Sequence, residues 1–166
     1  VSCLNMVNTK VQESMTATLD AETGSINQEL EVVKVTAATI SSTVASSYKT
    51  MGLSDYEEML TNVITQEDIV SGSGIWFAPY AYDSNEKYVG PYVYKDGSST
   101  VVTYDYSNAE YDYVSQEYYT IAESSTEPVI TDPYYDPTSD TIMSTCTAPI
   151  IADGKFIGCV SVDQAR

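Results

Sequence analysis

Apolar residues in the first third of the chain fall at Leu4, Val7, Val11, Met15 and Leu19, then at Ile26, Leu30, Val33, Ala37, Ile40, Val44 and Tyr48. Spacings of three and four put them on one stripe of a helix, with Ala, Gln, Glu and Ser on the other faces. Only Gly24 interrupts the pattern, at about 1 kcal/mol relative to alanine. The stripe predicts one long helix over residues 1–52, or two shorter helices broken near Gly24. Roughly 45 helical residues reach about 65–70 Å at ~1.5 Å each, more than the width of the domain expected after them. Part of the helix is therefore expected to project or to pair with a second copy of itself. Gly52 is expected to close it in a left-handed conformation. Ser54-Asp55-Tyr56-Glu57 reads as a capping box opening a second helix over 54–66, which buries Tyr56, Met59, Leu60 and Val63.

After Ser71-Gly72-Ser73-Gly74 the period changes. Ile75–Tyr80 reads as a first strand. Tyr88–Tyr94 and Thr100–Tyr106 follow as a hairpin joined through Lys95-Asp96-Gly97-Ser98, with Pro91 confining its strand to an edge or an irregular segment. Tyr111 to Glu123 returns to helical spacing. A loop with three prolines leads to Thr141–Ile150, and Asp153-Gly154 turns the chain into Phe156–Asp163. A two-residue turn there sets Asp163 opposite Ser144 and Cys159 opposite Ala148, so that Cys146 and Cys159 share a face two residues apart. Short hairpins between nearly all strands predict a five-stranded antiparallel sheet with its helices on one face, an α+β layer structure. The module is expected to span 53–166, with sheet and pocket in 72–163.

Composition narrows what this fold can do. The chain has 166 residues, enough to bury the core of one domain, and 24 acidic against 7 basic residues give a formal charge of -17. Nucleic acid and anionic membrane surfaces are repelled by such a charge, while cationic or neutral ligands are favoured. The absence of histidine removes the Ser-His-Asp and Cys-His nucleophile systems and most zinc sites. Cys3, Cys146 and Cys159 fit no metal spacing, and buried free thiols are the expected state. No apolar run approaches the ~18–20 residues that span a bilayer, and the start of the chain lacks the order of a signal peptide. Opening at Val1 and stopping after a strand-like run, the chain is expected to be a piece of something longer.

Tyrosines and carboxylates crowd residues 111–136, with no Lys, Arg or His among them. Such a cluster is either a tyrosine-rich surface or the lining of a pocket for a cation. Trp76, Tyr113, Tyr119 and Tyr135 are expected as packing or surface residues. Asp132, Asp136 and Asp140 recur every four residues but lack the glycine-bearing acidic loop of an EF-hand, so no metal is expected.

Gly72-Ser73-Gly74-Ile75-Trp76-Phe77-Ala78-Pro79, Gly90-Pro91-Tyr92, Tyr111 with Gln116-Glu117-Tyr118-Tyr119, Asp132-Pro133-Tyr134-Tyr135-Asp136, and Ala148-Pro149-Ile150 with Gly154-Lys155-Phe156-Ile157-Gly158 to Asp163 resemble, in order and spacing, the Cache sensor domains. The likeness is to the membrane-distal module of the double Cache type and spans roughly residues 35–163; the long first helix fits that family's stalk. The resemblance implies a PAS-like sheet on the extracellular side of the bacterial cytoplasmic membrane, binding a small molecule for a chemoreceptor, histidine kinase or cyclic-dinucleotide enzyme, with no catalysis, cofactor or nucleic-acid partner of its own. The projecting apolar stripe predicts homodimerisation through the N-terminal helix in the full receptor.

Amino-acid-binding members hold the ligand carboxylate with an arginine and a tryptophan, written R-x-W, and hold the ammonium group with tyrosines and aspartates. Matched by motif, the implied ligand residues are Tyr111, Gln116, Tyr118, Tyr134, Asp136 and Asp163. Gln116 stands at the arginine position and Tyr118 at the tryptophan position. Glutamine lacks the planar fork that grips a carboxylate, whereas the ammonium side is intact, with Asp136 and Asp163 as charges and tyrosine faces around them. The expected ligand is an amine without an α-carboxylate: a biogenic amine, a polyamine or a quaternary ammonium compound. Three alternatives stand beside it: an amino-acid sensor that recognises carboxylate without arginine, an empty structural or dimerisation module, and a glycosidase-like acidic pair at Asp136 and Asp163.

Overall fold

The computed structural model describes residues 28–137 and 140–165, with Asp136 by its backbone alone. The first half of the expected long helix, with its projection and self-pairing, lies outside the described residues. The chain divides into two compact units, Val1–Val32 and Val33–Arg166, and the second holds the sheet. Helix α1 (28–47) lays Val33, Ala37, Ile40 and Val44 into the core, each at most 2% exposed. This is the stripe read from the sequence. Ser41, between them, donates its hydroxyl to the Pro149 carbonyl at 2.6 Å.

Helix α2 (Leu53–Gln66) buries Tyr56, Leu60 and Ile64, with Met59 and Val63 partly buried against the same core. Its start differs from the expected capping box. Gly52 is the N-cap, in extended conformation at φ -78° with no side-chain cap, so it is neither left-handed nor the end of α1. Ser54 is already inside the first turn, two positions past the N-cap and so too late for its hydroxyl to cap.

Seven strands form one antiparallel sheet: β1 (Val70–Phe77), β2 (Tyr92–Asp96), β3 (Ser99–Thr103), β4 (Val129–Ile130), β5 (Tyr134–Asp136), β6 (Thr141–Ala152) and β7 (Lys155–Ala165). Their order is β3-β2-β1-β7-β6-β4, with β5 also on β6. Five were expected; the other two are short pieces of the proline-rich loop. The expected Tyr88–Tyr94 strand starts only at Tyr92, because Pro91 has no N–H to donate. The carbonyls of Val89 and Pro91 nevertheless accept from Phe77 and Ile75, each at 3.0 Å. The expected helix over 111–123 divides into a 3-10 turn (Tyr113–Ser115) and α3 (Glu117–Glu123), separated by Gln116 in extended conformation.

The helices are not all on one face, as expected, but on both. Ile75, Phe77, Val93, Cys146, Ala148, Ile150, Val160 and Val162 meet α1 and α2. On the opposite face Trp76 and Cys159 pack against Tyr113, Tyr119 and Ala122 from the 3-10 turn and α3. Tyr113 and Tyr119 are fully buried and Tyr135 is 59% exposed, in keeping with their expected packing and surface roles.

The β6–β7 hairpin turns at Asp153-Gly154, both at positive φ, with Ala152 paired to Lys155 as expected. Beyond Ile151↔Phe156 the register shifts: Ile150 pairs with Gly158, leaving Ile157 as an extra residue. Asp163 therefore sits opposite Thr145, not Ser144, and Cys159 opposite Pro149, not Ala148. Cys146 pairs with Val162, so the two cysteines face opposite sides of the sheet; both are free and buried. Burial alone pushes the Cys146 thiol up to about 12 against a slight opposing pull from Lys34.

Gly158, next to the bulge, adopts φ +150°, and a Cβ there would strike the Trp76 carbonyl and come within 2.8 Å of the Phe77 Cα. Gly158→Ala is expected to cost about 2–4 kcal/mol of stability, measured as a lower urea midpoint with an unchanged slope. A midpoint equal to that of the parent chain would refute this account of the bulge.

Candidate functional site

On the face away from α1 and α2, the register aligns Gly72, Gly74 and Trp76 of β1 with Tyr92 and Tyr94 of β2, and with Cys159, Ser161 and Asp163 of β7. The two β1 glycines leave room that rings occupy. A Cβ on Gly72 would collide with the Tyr92 hydroxyl, and one on Gly74 would come within 2.8 Å of the Trp76 indole. Gly90 approaches the other end of the same indole, where a Cβ would lie 2.6 Å from its ring. The Gly-Ser-Gly run ahead of the expected first strand is thus strand itself, and its missing side chains seat the Tyr92 and Trp76 rings that line a cavity.

The cavity holds about 330 Å³, within the range of small-molecule sites. Trp76, only 3% exposed, forms part of its lining and donates its indole N–H to the Ser161 hydroxyl at 2.8 Å. It was expected to be packing alone; it packs and lines the pocket together. Tyr92 stacks on it with ring centres 5.9 Å apart, and Tyr118 meets it tilted at 5.3 Å. Tyr106 and Tyr111 continue the aromatic wall at 4.9 Å from each other, and the Tyr111 and Tyr118 hydroxyls lie 3.2 Å apart. Such ring packing gives large contact area in defined geometry.

Asp163 is the chemical centre. It borders the cavity, so part of its surface is open, but protein surrounds it more deeply on every other side. One carboxylate oxygen accepts from the Tyr92 hydroxyl and the other from the Thr145 hydroxyl at 2.7 Å. Burial raises its pKa above the ordinary carboxylate value, and the two hydroxyl donors oppose that rise only in part. The Tyr92 and Tyr118 hydroxyls, raised by burial first and then by their hydrogen-bonded neighbours, stay protonated throughout the physiological range. Thr131 pins the loop beside Asp163 through its backbone N–H to the Thr145 carbonyl at 2.8 Å. Thr147 holds α3 over the sheet by donating to the Tyr118 carbonyl at 2.7 Å.

Of the residues implied by resemblance, Tyr111, Tyr118, Tyr134 and Asp163 line this cavity, with Tyr134 56% exposed. Gln116 is not among the lining residues; its amide donates to the Tyr111 carbonyl at 3.1 Å. The Asp136 side chain lies outside what is described. Sequence reasoning missed Tyr92, Tyr106, Thr145 and Ser161 as lining residues, as well as the two carboxylates Glu117 and Asp132. Tyr92 carried a usable signal, since it follows Gly90-Pro91 and the glycines it faces were visible. Thr145 and Ser161 depend on the bulge and carried none.

The family model for the methyl-accepting chemotaxis protein-like, first PDC sensor domain matches residues 56–165. Among solved structures, Methyl-accepting Chemotaxis protein X is 21% identical, with a TM-score of 0.74 over 96% of this chain and 64% of that one. The extracellular domain of mmHK1S-Z2, assigned to a histidine kinase, is 19% identical, with a TM-score of 0.70 over 85% of this chain and 55% of that one. The ligand-binding domain of the Pseudomonas aeruginosa amino acid chemoreceptor PctC, in complex with GABA, is 14% identical, with a TM-score of 0.59 over 86% and 56%. The chain thus spans between about half and two thirds of the structures it matches. No curated protein sequence matches it. The likeness to these structures supports the PAS-like fold, and the family match agrees with the resemblance to Cache sensors.

A carboxyl group whose pKa is raised on folding binds its proton more tightly in the folded state, so its ionisation lowers stability as pH rises through that raised pKa. Below the ordinary carboxylate range both states are protonated and the penalty vanishes. Asp163→Asn removes the charge and keeps an acceptor for one hydroxyl. The ligand-free variant is expected to melt about 2–4 °C above the parent at pH 8, with the gap closing towards pH 4. Melting scans across that range check it, and a variant less stable than the parent at pH 8 overturns it.

Proposed function

The chain belongs to the methyl-accepting chemotaxis protein-like family of first PDC sensor domains, and we propose that it senses an amine lacking an α-carboxylate. The observation that carries this reading is the charge of the lining: Glu117, Asp132 and Asp163 contribute carboxylates, and among the described residues no Lys or Arg joins them. A cation gains Coulomb attraction from such a site and contact with aromatic faces. A ligand carboxylate meets neither an arginine nor the Gln116 amide, which is turned to the Tyr111 carbonyl. Tyr111, Tyr118 and Tyr134 supply ring faces and hydroxyls, Asp163 with Glu117 and Asp132 supplies the charge, and Asp136 on the loop strand is proposed to add to it.

In this reading the ligand is met outside the cytoplasmic membrane. Among the described residues no helix is long and apolar enough to cross a membrane. The N-terminal helix carries the signal and, in the full receptor, associates with a second copy. Binding alters α1 through β6, which bonds Asp163 by Thr145, the α3 backbone by Thr147, and Ser41 by the Pro149 carbonyl.

Titration calorimetry of the chain with methylamine, phenethylamine, cadaverine, choline, GABA and L-amino acids tests the ligand class. An amine is expected to bind and ordinary L-amino acids are not, and Asp163→Asn is expected to weaken the amine at least a hundredfold. Saturation by L-amino acids with none by any amine would falsify the reading. Because Asp163 must give up its proton to bind a cation, affinity is expected to fall as pH drops through its raised pKa, by up to tenfold per unit. Proton release, read from the dependence of binding heat on buffer ionisation enthalpy, accompanies binding. Heat independent of buffer at a pH where affinity is falling contradicts Asp163 as the partner.

A further inference from the structure

A second cavity of about 350 Å³ lies on the same sheet face, further along β6 and β7, and shares Tyr92 and Tyr106 with the first as a common wall. Its chemistry differs. Tyr94, Met143 and Ala165 supply a ring, a thioether and a methyl, Ser71 and Thr141 add hydroxyls, and the only charged side chain in the lining, among the described residues, is Lys95. The Lys95 ammonium already donates to the Glu67 carbonyl at the end of α2, at 3.0 Å. The first cavity thus offers carboxylates without a base, while its neighbour offers apolar and aromatic surface beside a tethered ammonium.

The partition is one side chain thick. Tyr92 stacks between Trp76 on one side and Tyr94 on the other, at 5.9 and 6.1 Å, and its hydroxyl reaches Asp163. An ammonium arriving at Asp163 joins the Tyr92 and Thr145 hydroxyls as a third donor, and draws on the carboxylate charge that the Tyr92 bond relies on. With no Cβ on Gly72 beneath the Tyr92 hydroxyl, a ring held less tightly by that bond can shift about χ1 and χ2.

Resting on the amine reading above, we infer that the second cavity takes the ligand's tail, so the preferred ligand is a monocation bearing an aryl or alkyl chain. The ammonium sits at Asp163 and the tail passes Tyr92 to lie between Tyr94 and Met143. A polyamine is disfavoured because its second ammonium would lie beside Lys95.

Calorimetry with methylamine, butylamine, hexylamine, phenethylamine and cadaverine separates the possibilities. Affinity is expected to rise about threefold to fourfold per methylene beyond the first few, with cadaverine at least tenfold weaker than hexylamine. Met143→Trp fills the second cavity and is expected to weaken hexylamine and phenethylamine at least tenfold while leaving methylamine unchanged. Ala165→Leu is the second variant should the first fail to fold, as judged by its melting curve. Equal affinity along the alkyl series, or equal effects of the variants on methylamine and hexylamine, overturns the tail site and leaves the amine reading standing. Cadaverine binding more tightly than hexylamine also overturns it, in favour of a diamine. If no amine binds and Asp163→Asn changes nothing, both readings fall together.

Discussion

Ionising Asp163 next to an aromatic wall, with two neutral hydroxyls as its partners, is the unfavourable arrangement that the rest of the sheet is built to hold. A carboxylate taken out of water is ordinarily paired with a cation. Here the described lining offers none, and in the proposed reading a cationic ligand supplies the compensation. Everything that fixes the two donors therefore fixes how the carboxyl group is held. Gly72 gives Tyr92 its seat, and the register of β6 against β7 brings Thr145 directly opposite. A ledger that counted only contacts would call this corner of the fold weak. In the proposed reading it is the corner where stability is exchanged for binding, as functional sites commonly do.

That register follows from one extra residue. Without Ile157 bulged out of β7, Asp163 would share a face with Lys155 and turn towards α1 and α2, into an apolar core with no hydroxyl partners. The bulge is tolerated because Gly158 can take φ +150° against the Trp76 carbonyl. It also separates Cys146 from Cys159, keeping two buried thiols in different layers. Thus one backbone irregularity sets the charge, its donors and the redox inertness of the hairpin.

Period-based reading recovered the elements whose faces are uniform. The α1 stripe, the α2 core residues and both hairpins were legible from local spacing and turn glycines, although β2 turns into β3 at Gly97-Ser98, with Asp96 already paired to Ser99. Features that depend on long-range fit were not. The Ser54 capping box failed because Leu53 is already helical. β4 and β5 are two and three residues long, too short to show alternation, and are strands only because β6 is beside them. Motif resemblance located Tyr111, Tyr118, Tyr134 and Asp163 at the cavity, but said nothing of Tyr92, Thr145 or Ser161, which arrive from strands far apart in sequence. Gln116 was singled out for its side chain; what it contributes in the described fold is an extended backbone that splits one expected helix into two pieces.

Trp76 is the chain's single tryptophan, and it lies in the pocket floor with four tyrosine rings between 5.2 and 6.1 Å of it. Light absorbed by those tyrosines passes to the indole by energy transfer at such separations, so emission from the protein is dominated by one fluorophore at one place. The cavity therefore carries its own optical probe, whose colour and intensity report the polarity beside Ser161 with no dye attached.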